Sequence, residues 1–214
     1  MAIEAGHYRR VIRLPAFAAA LASLLIAFPA RSLADEADIV VQAGHEGRPA
    51  SCAPHHVKAC NLGAAAQGAT EREWTPVVAD EATRVLRAHG YTVLRRPADY
   101  DEHDTARAAV FIHFDGADPA CASGTSVGYP DTTGSAFVEA WKTRYRAWFP
   151  YRYAADNFTK NLHQYYGFRK VDAPQKMLIE FGEMTCPPQF AWMAPRLREM
   201  GDQLAAFLME QVPR

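Results

Sequence analysis

Apolar positions fall in two rhythms along this chain of 214 residues. Short dense apolar runs read as strands: Ile39, Val40 and Val41; "YTVLRR"; "AAVFIHFDG", with Val110 to Phe114 at its centre; "GTSVGYP", ending at Pro130; and "KMLIEFGE". Between them lie stretches with helical spacing. In "TEREWTPVVADEATRVLRAHG", Trp74, Val77, Val78, Val85 and Leu86 approximate one apolar stripe. Thr70 is placed to cap that helix, Glu71 and Glu73 occupy its first turn, and Gly90 stops it. Further helices are predicted around residues 136–148 and 155–166, and from about 195 to 212, where Leu197, Met200, Leu204, Phe207 and Leu208 repeat at helical intervals. The Gly- and Ala-rich stretch 46–69 shows neither rhythm. Strands alternating with helices predict an α/β fold, a mixed, mostly parallel twisted sheet sandwiched between helices.

The first residues follow a different logic. Arg9, Arg10 and Arg13 precede an apolar run over residues 14–28, and Ser32 and Ala34 are small residues suited to a cleavage site. This is the layout of a secretory signal peptide. The alternative, a retained anchor, is disfavoured because the run is short for a span. The expectation is a signal peptide over 1–34, a single domain over 35–214, and an exported protein, periplasmic or secreted, with no stable membrane span after cleavage.

Charge narrows the partners. The chain has 23 basic and 24 acidic residues; beyond residue 34 the balance is 19 to 23. That excess of acid excludes the basic face of a nucleic-acid binder. All four cysteines, Cys52, Cys60, Cys121 and Cys186, lie in the exported part. An even count in an oxidising compartment predicts two disulfides. Of the three pairings, Cys52 with Cys60 and Cys121 with Cys186 is favoured, the second tying together two loops that follow predicted strands. The lack of any C-x-x-C pair argues against a cysteine zinc site.

In sheets of this kind the functional crevice lies at the carboxyl ends of the strands. His45 follows the first strand, His113 and Glu180 lie near the ends of "VFIHF" and "MLIEF", and Glu71 opens a helix. Two imidazoles and a carboxylate fill three positions of a tetrahedral zinc ion and leave the fourth open. A second carboxylate off the metal can shuttle a proton. His45, Glu71 and His113 are therefore candidate ligands of one zinc ion, and Glu180 the candidate general base. Taken singly, each has an ordinary structural role: a core histidine, a helix-dipole partner. Glu180 is the hardest to explain so, because a carboxylate inside an apolar strand is costly unless paired.

Taken together, these motifs resemble the zinc-dependent N-acetylmuramoyl-L-alanine amidases of the amidase-3 type. "VVQAGHEG" matches that family's first-ligand turn at His45. "GATEREW" matches the second ligand at Glu71, with Arg72 and Glu73 behind it. "VLRRPAD" carries its Arg and Asp at Arg96 and Asp99, "VFIHFDG" the third ligand at His113, Gly124 and Thr125 its Gly-Thr strand, and "LIEFGEMT" the catalytic glutamate at Glu180. The order holds from about Asp38 onward. Departures fall at Gln42-Ala43, Glu46, Asp115 and Glu183. The resemblance implies cleavage of the amide between N-acetylmuramic acid and L-alanine in peptidoglycan or muropeptides, with a possible activator protein as partner. The polar, aromatic segment "NFTKNLHQYYGFRK" is a candidate substrate wall through Asn157, Asn161 and Tyr165, with Asp115 nearby; it reads equally as a half-exposed helix with Tyr165 and Tyr166 packed. Two alternatives stay open: a zinc hydrolase of another exported amide or peptide, and a wall-binding protein without turnover.

Overall fold

The computed structural model describes residues 35–48 and 61–214. The proposed signal peptide and the Cys52–Cys60 pairing lie outside the described residues. Five strands form the main path of one sheet: β1 (Asp35–Ala43), β4 (Val93–Arg96), β5 (Asp104–Asp115), β6 (Ser126–Gly128) and β8 (Gln175–Glu183). Their order is β4-β1-β5-β8-β6, and the short β7 (Val171–Asp172) joins the start of β5. All pairings are parallel except β6 with β8. The α/β expectation therefore holds, with β5 at the centre of the path. A two-residue hairpin, β2 (Ala65–Ala66) and β3 (Ala69–Thr70), stands apart from the sheet.

Side-chain alternation sorts each strand onto two faces. Ile39, Val41, Val110, Ile112, Met177, Ile179 and Phe181 enter one core with the helices α1 (Glu71–Ala88), α2 (Ser135–Trp148) and α5 (Leu197–Gln211). Val40, Phe111 and Leu178 point the other way and pack with Leu162, Phe168 and Val171. The layers are unequal: α1, α2 and α5, joined by Met193 near the chain's end, cover one face, and a short irregular segment covers part of the other.

α1 starts where its sequence said it would. The Glu73 carboxylate accepts from the Thr70 backbone N–H at 2.8 Å and its hydroxyl at 2.9 Å, the reciprocal end of a capping box. It ends where Gly90 takes a φ of 82° and its N–H returns to the Arg87 carbonyl at 3.0 Å.

The helix expected over 155–166 is replaced by two fragments, α3 (Lys160–His163) and a 3-10 turn, Tyr166–Arg169. Asn157 is the reason. Its φ is 50°, outside the helical range, and its side-chain amide both donates to and accepts from the backbone of Tyr129, at 3.2 and 2.9 Å. Thr159 then begins a fresh turn, its hydroxyl accepting from the Leu162 N–H at 3.3 Å. A further helix the pattern did not predict, α4 (Pro187–Met193), precedes α5, with proline in its first turn. The last helix is accordingly shorter than expected at its start, a 3-10 turn, Ala194–Arg196, intervening.

The Arg and Asp of "VLRRPAD" serve the fold. Arg96 bonds Asp104, which is fully buried, at 2.6 and 3.0 Å. Asp99 is gripped by both ends of the Arg48 guanidinium, at 2.6 and 2.9 Å, which ties the turn after β1 to the loop after β4. The predicted disulfide between Cys121 and Cys186 is present. Among the described residues no helix is long and apolar enough to cross a membrane.

Candidate metal centre

The carboxyl ends of β1 and β5 and the head of α1 meet at one point. β1 runs on through Gly44, whose N–H bonds the Ile112 carbonyl at 2.9 Å, and then turns at His45 with φ 60°. Glu71 is the first residue of α1. Its carboxylate reaches across the sheet end and accepts from the Phe114 N–H at 3.1 Å and the Ala64 N–H at 2.9 Å. His113 stands on β5, on the face opposite the three-helix layer.

His45, Glu71 and His113 are 8, 3 and 7% exposed, and one ligand atom from each lies within 4.8 Å of the others. His45 Nε2 is 3.4 Å from one Glu71 oxygen, and His113 Nδ1 is 2.7 Å from the other. The two rings meet edge to face, centroids 5.1 Å apart. The His45 ring is oriented through its other nitrogen. Nδ1 is 2.6 Å from the Asn61 carbonyl, which can only accept. The Arg48 guanidinium also lies 3.0 Å from Nδ1, so this nitrogen is held between a carbonyl and a guanidinium while Nε2 faces Glu71. Arg48 donates to the same carbonyl at 3.1 Å. A metal-binding histidine is commonly oriented in this way, through its second nitrogen.

The electrostatics agree with a ligand set. Burial lowers the His45 pKa below its ordinary value, only partly opposed by the Glu71 charge. For Glu71 burial works upward, but the charge and hydrogen bond of His113, then His45, outweigh it and hold the carboxyl below the usual range. A carboxylate and two imidazoles converging at these distances suit one zinc ion by number and donor type.

Glu180 stands on β8 as the register partner of His113 on one side and of Ser126 on β6 on the other. The three side chains form a row on one face. One carboxylate oxygen of Glu180 is buried without a hydrogen-bond partner. Burial, then the charges of Glu71 and Asp115, raise its pKa well above the ordinary glutamate value. A carboxyl whose pKa is raised in this way is suited to holding and passing on a proton.

The other expected site residues are placed differently. Asp115 follows His113 across a register shift against β8. Its carboxylate is held by the Ser123 hydroxyl and by the Gly116 N–H at 2.8 Å, and burial raises its pKa despite the Ser123 bond. Asn157 is engaged with the Tyr129 backbone, and Asn161 is exposed on α3. Tyr165 lies against the metal centre itself, its ring edge to face with His113 at 5.2 Å and its hydroxyl 3.2 Å from His113 Nε2. Glu46, the extra carboxylate beside His45, is bound by Arg95 at 2.7 and 3.0 Å. Glu183 is fully buried, receiving the N–H groups of Cys121 and Ser123 at 2.6 and 2.7 Å; it fixes the loop that the disulfide also anchors.

Sequence reasoning missed Gln42 and Gly44. Gln42 is fully buried and bonds both Tyr165 and Tyr166. A polar residue within an otherwise apolar strand was the available signal. Gly44 leaves the space the His113 ring occupies: a Cβ there would lie 2.3 Å from the ring.

An α/β sheet thus carries a buried His-Glu-His cluster at its carboxyl edge, a candidate metal site. Solved structures narrow the fold. The chain superposes on the N-acetylmuramoyl-L-alanine amidase AmiC2 of Nostoc punctiforme with a TM-score of 0.59 and 19% identity, covering 82% of this chain and 97% of that one. The amidase Ami1 of Mycobacterium smegmatis gives 0.59 and 17%, covering 83% and 98%. The CwlD amidase from Clostridioides difficile, solved in complex with the GerS lipoprotein, gives 0.58 and 13%, covering 81% and 97%. The chain thus has the fold of these amidase catalytic domains, which the motifs had led us to expect. No protein-family profile matches the sequence, and no curated protein does.

Proposed function

We propose that this protein is an exported, zinc-dependent N-acetylmuramoyl-L-alanine amidase. The observation that carries the reading is the convergence of His45, Glu71 and His113 at the sheet edge, within 4.8 Å of one another, with Glu180 in the next position across the sheet. The shared fold with solved amidases supports the choice of reaction.

His45 through Nε2, Glu71 and His113 through Nδ1 would hold one zinc ion. A zinc ion held there supplies Lewis acidity for the scissile carbonyl and acidifies water. The protein's own groups do the rest. Glu71 is locked by two backbone N–H groups and His45 by Asn61, so the ligands are preorganised. Glu180 takes the proton of the attacking water. A C–O bond forms at the lactyl carbonyl, the C–N bond to L-alanine breaks, and Glu180 returns the proton to the departing nitrogen. The products are a muramic acid carboxylate and a peptide with a free N-terminal alanine. The charge of Glu71 contributes to the raised Glu180 pKa; a cation at the cluster offsets that contribution and brings the base closer to its ionised form.

Residues 1–34 act as the signal peptide in this reading, and the Cys121–Cys186 disulfide suits an oxidising compartment. Asn161, exposed on α3, is one polar group of that segment offered to substrate. A protein partner is part of the proposal, by likeness to the CwlD amidase found with a lipoprotein.

The test is digestion of purified peptidoglycan by the protein, with and without chelator, beside Glu180→Ala. Release of N-terminal L-alanine only by the metal-loaded wild type is the expected result. Activity that survives both chelation and the substitution refutes the mechanism. Stoichiometric zinc without product from any wall or amide substrate replaces the enzyme with a binding protein.

A further inference from the structure

We propose that Ser126 is a positioning residue for Glu180: its hydroxyl holds the inward oxygen of that carboxyl, directly or through one water, and leaves the outward oxygen for the attacking water. The role rests on the reading of Glu180 as the base. Ser126 and Glu180 are paired across β6 and β8, and side chains so paired have Cβ atoms about 4.5–5.5 Å apart. Ser126 is fully buried, and its Oγ has no hydrogen-bond partner. Glu180 is half-buried, and Oε2 is the oxygen turned into the protein without a partner. Two orphaned oxygens thus lie on adjoining strands, on one face of the sheet. An unpaired buried polar group costs stability, so folding alone does not account for a serine at this position.

The other polar groups that bear on Glu180 are already engaged. His113, its partner on β5, has one ring nitrogen 2.7 Å from Glu71 and the other 3.2 Å from the Tyr165 hydroxyl. Glu71 is bound by the Ala64 and Phe114 N–H groups, and Asp115 by Ser123 and the Gly116 N–H. A serine hydroxyl has one proton to give and two lone pairs. It can donate to a carboxylate and accept from a carboxylic acid, so it serves a group that takes a proton and later returns it. The backbone fixes its bearing. The Thr125 hydroxyl donates to the Glu180 carbonyl at 2.6 Å. On the other edge of β6 the Thr125 N–H donates to the Arg152 carbonyl at 3.2 Å, and the Thr125 and Val127 carbonyls receive the Ala154 and Asn157 N–H groups at 2.7 and 2.9 Å. β6 is short but held along both sides. Gly128, two positions beyond Ser126, has no room for a Cβ against the Leu162 backbone, so α3 closes the face next to the serine.

Ser126→Ala is the central variant. It removes an unpaired buried hydroxyl, so thermal stability should hold or rise, and zinc affinity, measured with zinc chloride against a competing chelator, should stay within about twofold of wild type. The kcat for alanine release from muropeptides should nevertheless fall about 10- to 100-fold, the range for one hydrogen bond to a charged group, with KM little changed. Ser126→Thr keeps a hydroxyl and should recover part of the loss. A kcat within about twofold of wild type in Ser126→Ala overturns the proposal. A reading independent of activity comes from denaturant unfolding of the metal-free protein, comparing Ser126→Ala, Glu180→Gln and the double variant. Their effects on the unfolding equilibrium constant should depart from additivity by about twofold or more; simple additivity overturns the pairing. If the wild type releases no alanine, the amidase reading fails, and the unfolding cycle still decides whether Ser126 partners Glu180.

Discussion

Gly44→Ala is the smallest change that should disable the centre without touching a ligand. A Cβ at residue 44 would lie 2.3 Å from His113 Cε1, 2.5 Å from Nε2 and 2.6 Å from Nδ1. Carbon contacts are comfortable only near 3.5 Å, so either the strand or the ring must recede by about 1 Å. The strand is pinned. The Gly44 N–H bonds the Ile112 carbonyl at 2.9 Å, and its carbonyl receives the Thr75 hydroxyl from α1 at 2.5 Å. The imidazole must therefore move, off Glu71 on one side and off Tyr165 on the other. Metal–ligand distances tolerate only about 0.2 Å, and a misplacement of about 1 Å at a reacting centre costs on the order of 100-fold in rate. We expect zinc affinity and muropeptide hydrolysis each to fall at least about 100-fold, with about 1–3 kcal/mol of stability lost to overpacking. Chelator competition, alanine release and thermal unfolding measure the three effects. Gly134→Ala, whose Cβ meets nothing within 4 Å, is the control for the zinc measurement. A Gly44→Ala protein that binds zinc within about threefold of wild type and turns over normally would refute the claim that His113 is a ligand held against Gly44.

Three further outcomes follow from the same geometry. Glu180→Gln should retain zinc and lose about 100- to 10,000-fold in hydrolysis. In the metal-free protein it should also change the pH profile of stability: the raised Glu180 pKa means the folded state holds its proton longer than the unfolded chain, so wild-type stability falls as pH rises from the ordinary glutamate range toward the folded pKa. The melting-temperature advantage of Glu180→Gln should therefore grow across that window, and an advantage independent of pH contradicts the shift. Arg96→Met leaves the fully buried Asp104 carboxylate without its guanidinium and should cost about 3–5 kcal/mol in denaturant unfolding, with Asp104→Asn in the same chain restoring part of the loss. Replacing Cys121 and Cys186 by serine opens a link across 65 residues of sequence; chain entropy sets the loss at about 4 kcal/mol, and an unchanged unfolding midpoint would show that Glu183 alone holds the two loops.

The sequence by itself determined the elements whose signals are local. Dense apolar runs marked β1, β5 and β8, the Thr70–Glu73 capping box marked the head of α1, and Gly90 its end. Those same elements carry His45, Glu71, His113 and Glu180, so the four corners of the proposed site were legible once strands and helices were placed in alternation. The segment 155–166 was misread because what breaks its helix is distant: Asn157 answers to the backbone of Tyr129, 28 positions earlier. Glu46 could not be oriented until Arg95, 49 positions later, was found beside it. Gln42 and Tyr165 are 123 positions apart, and no local pattern links them. Why Gly44 must lack a side chain is likewise a matter of distances across adjoining strands. Burial and periodicity act within a few residues and are written in the chain; hydrogen-bond direction and steric room depend on partners that only folding brings together.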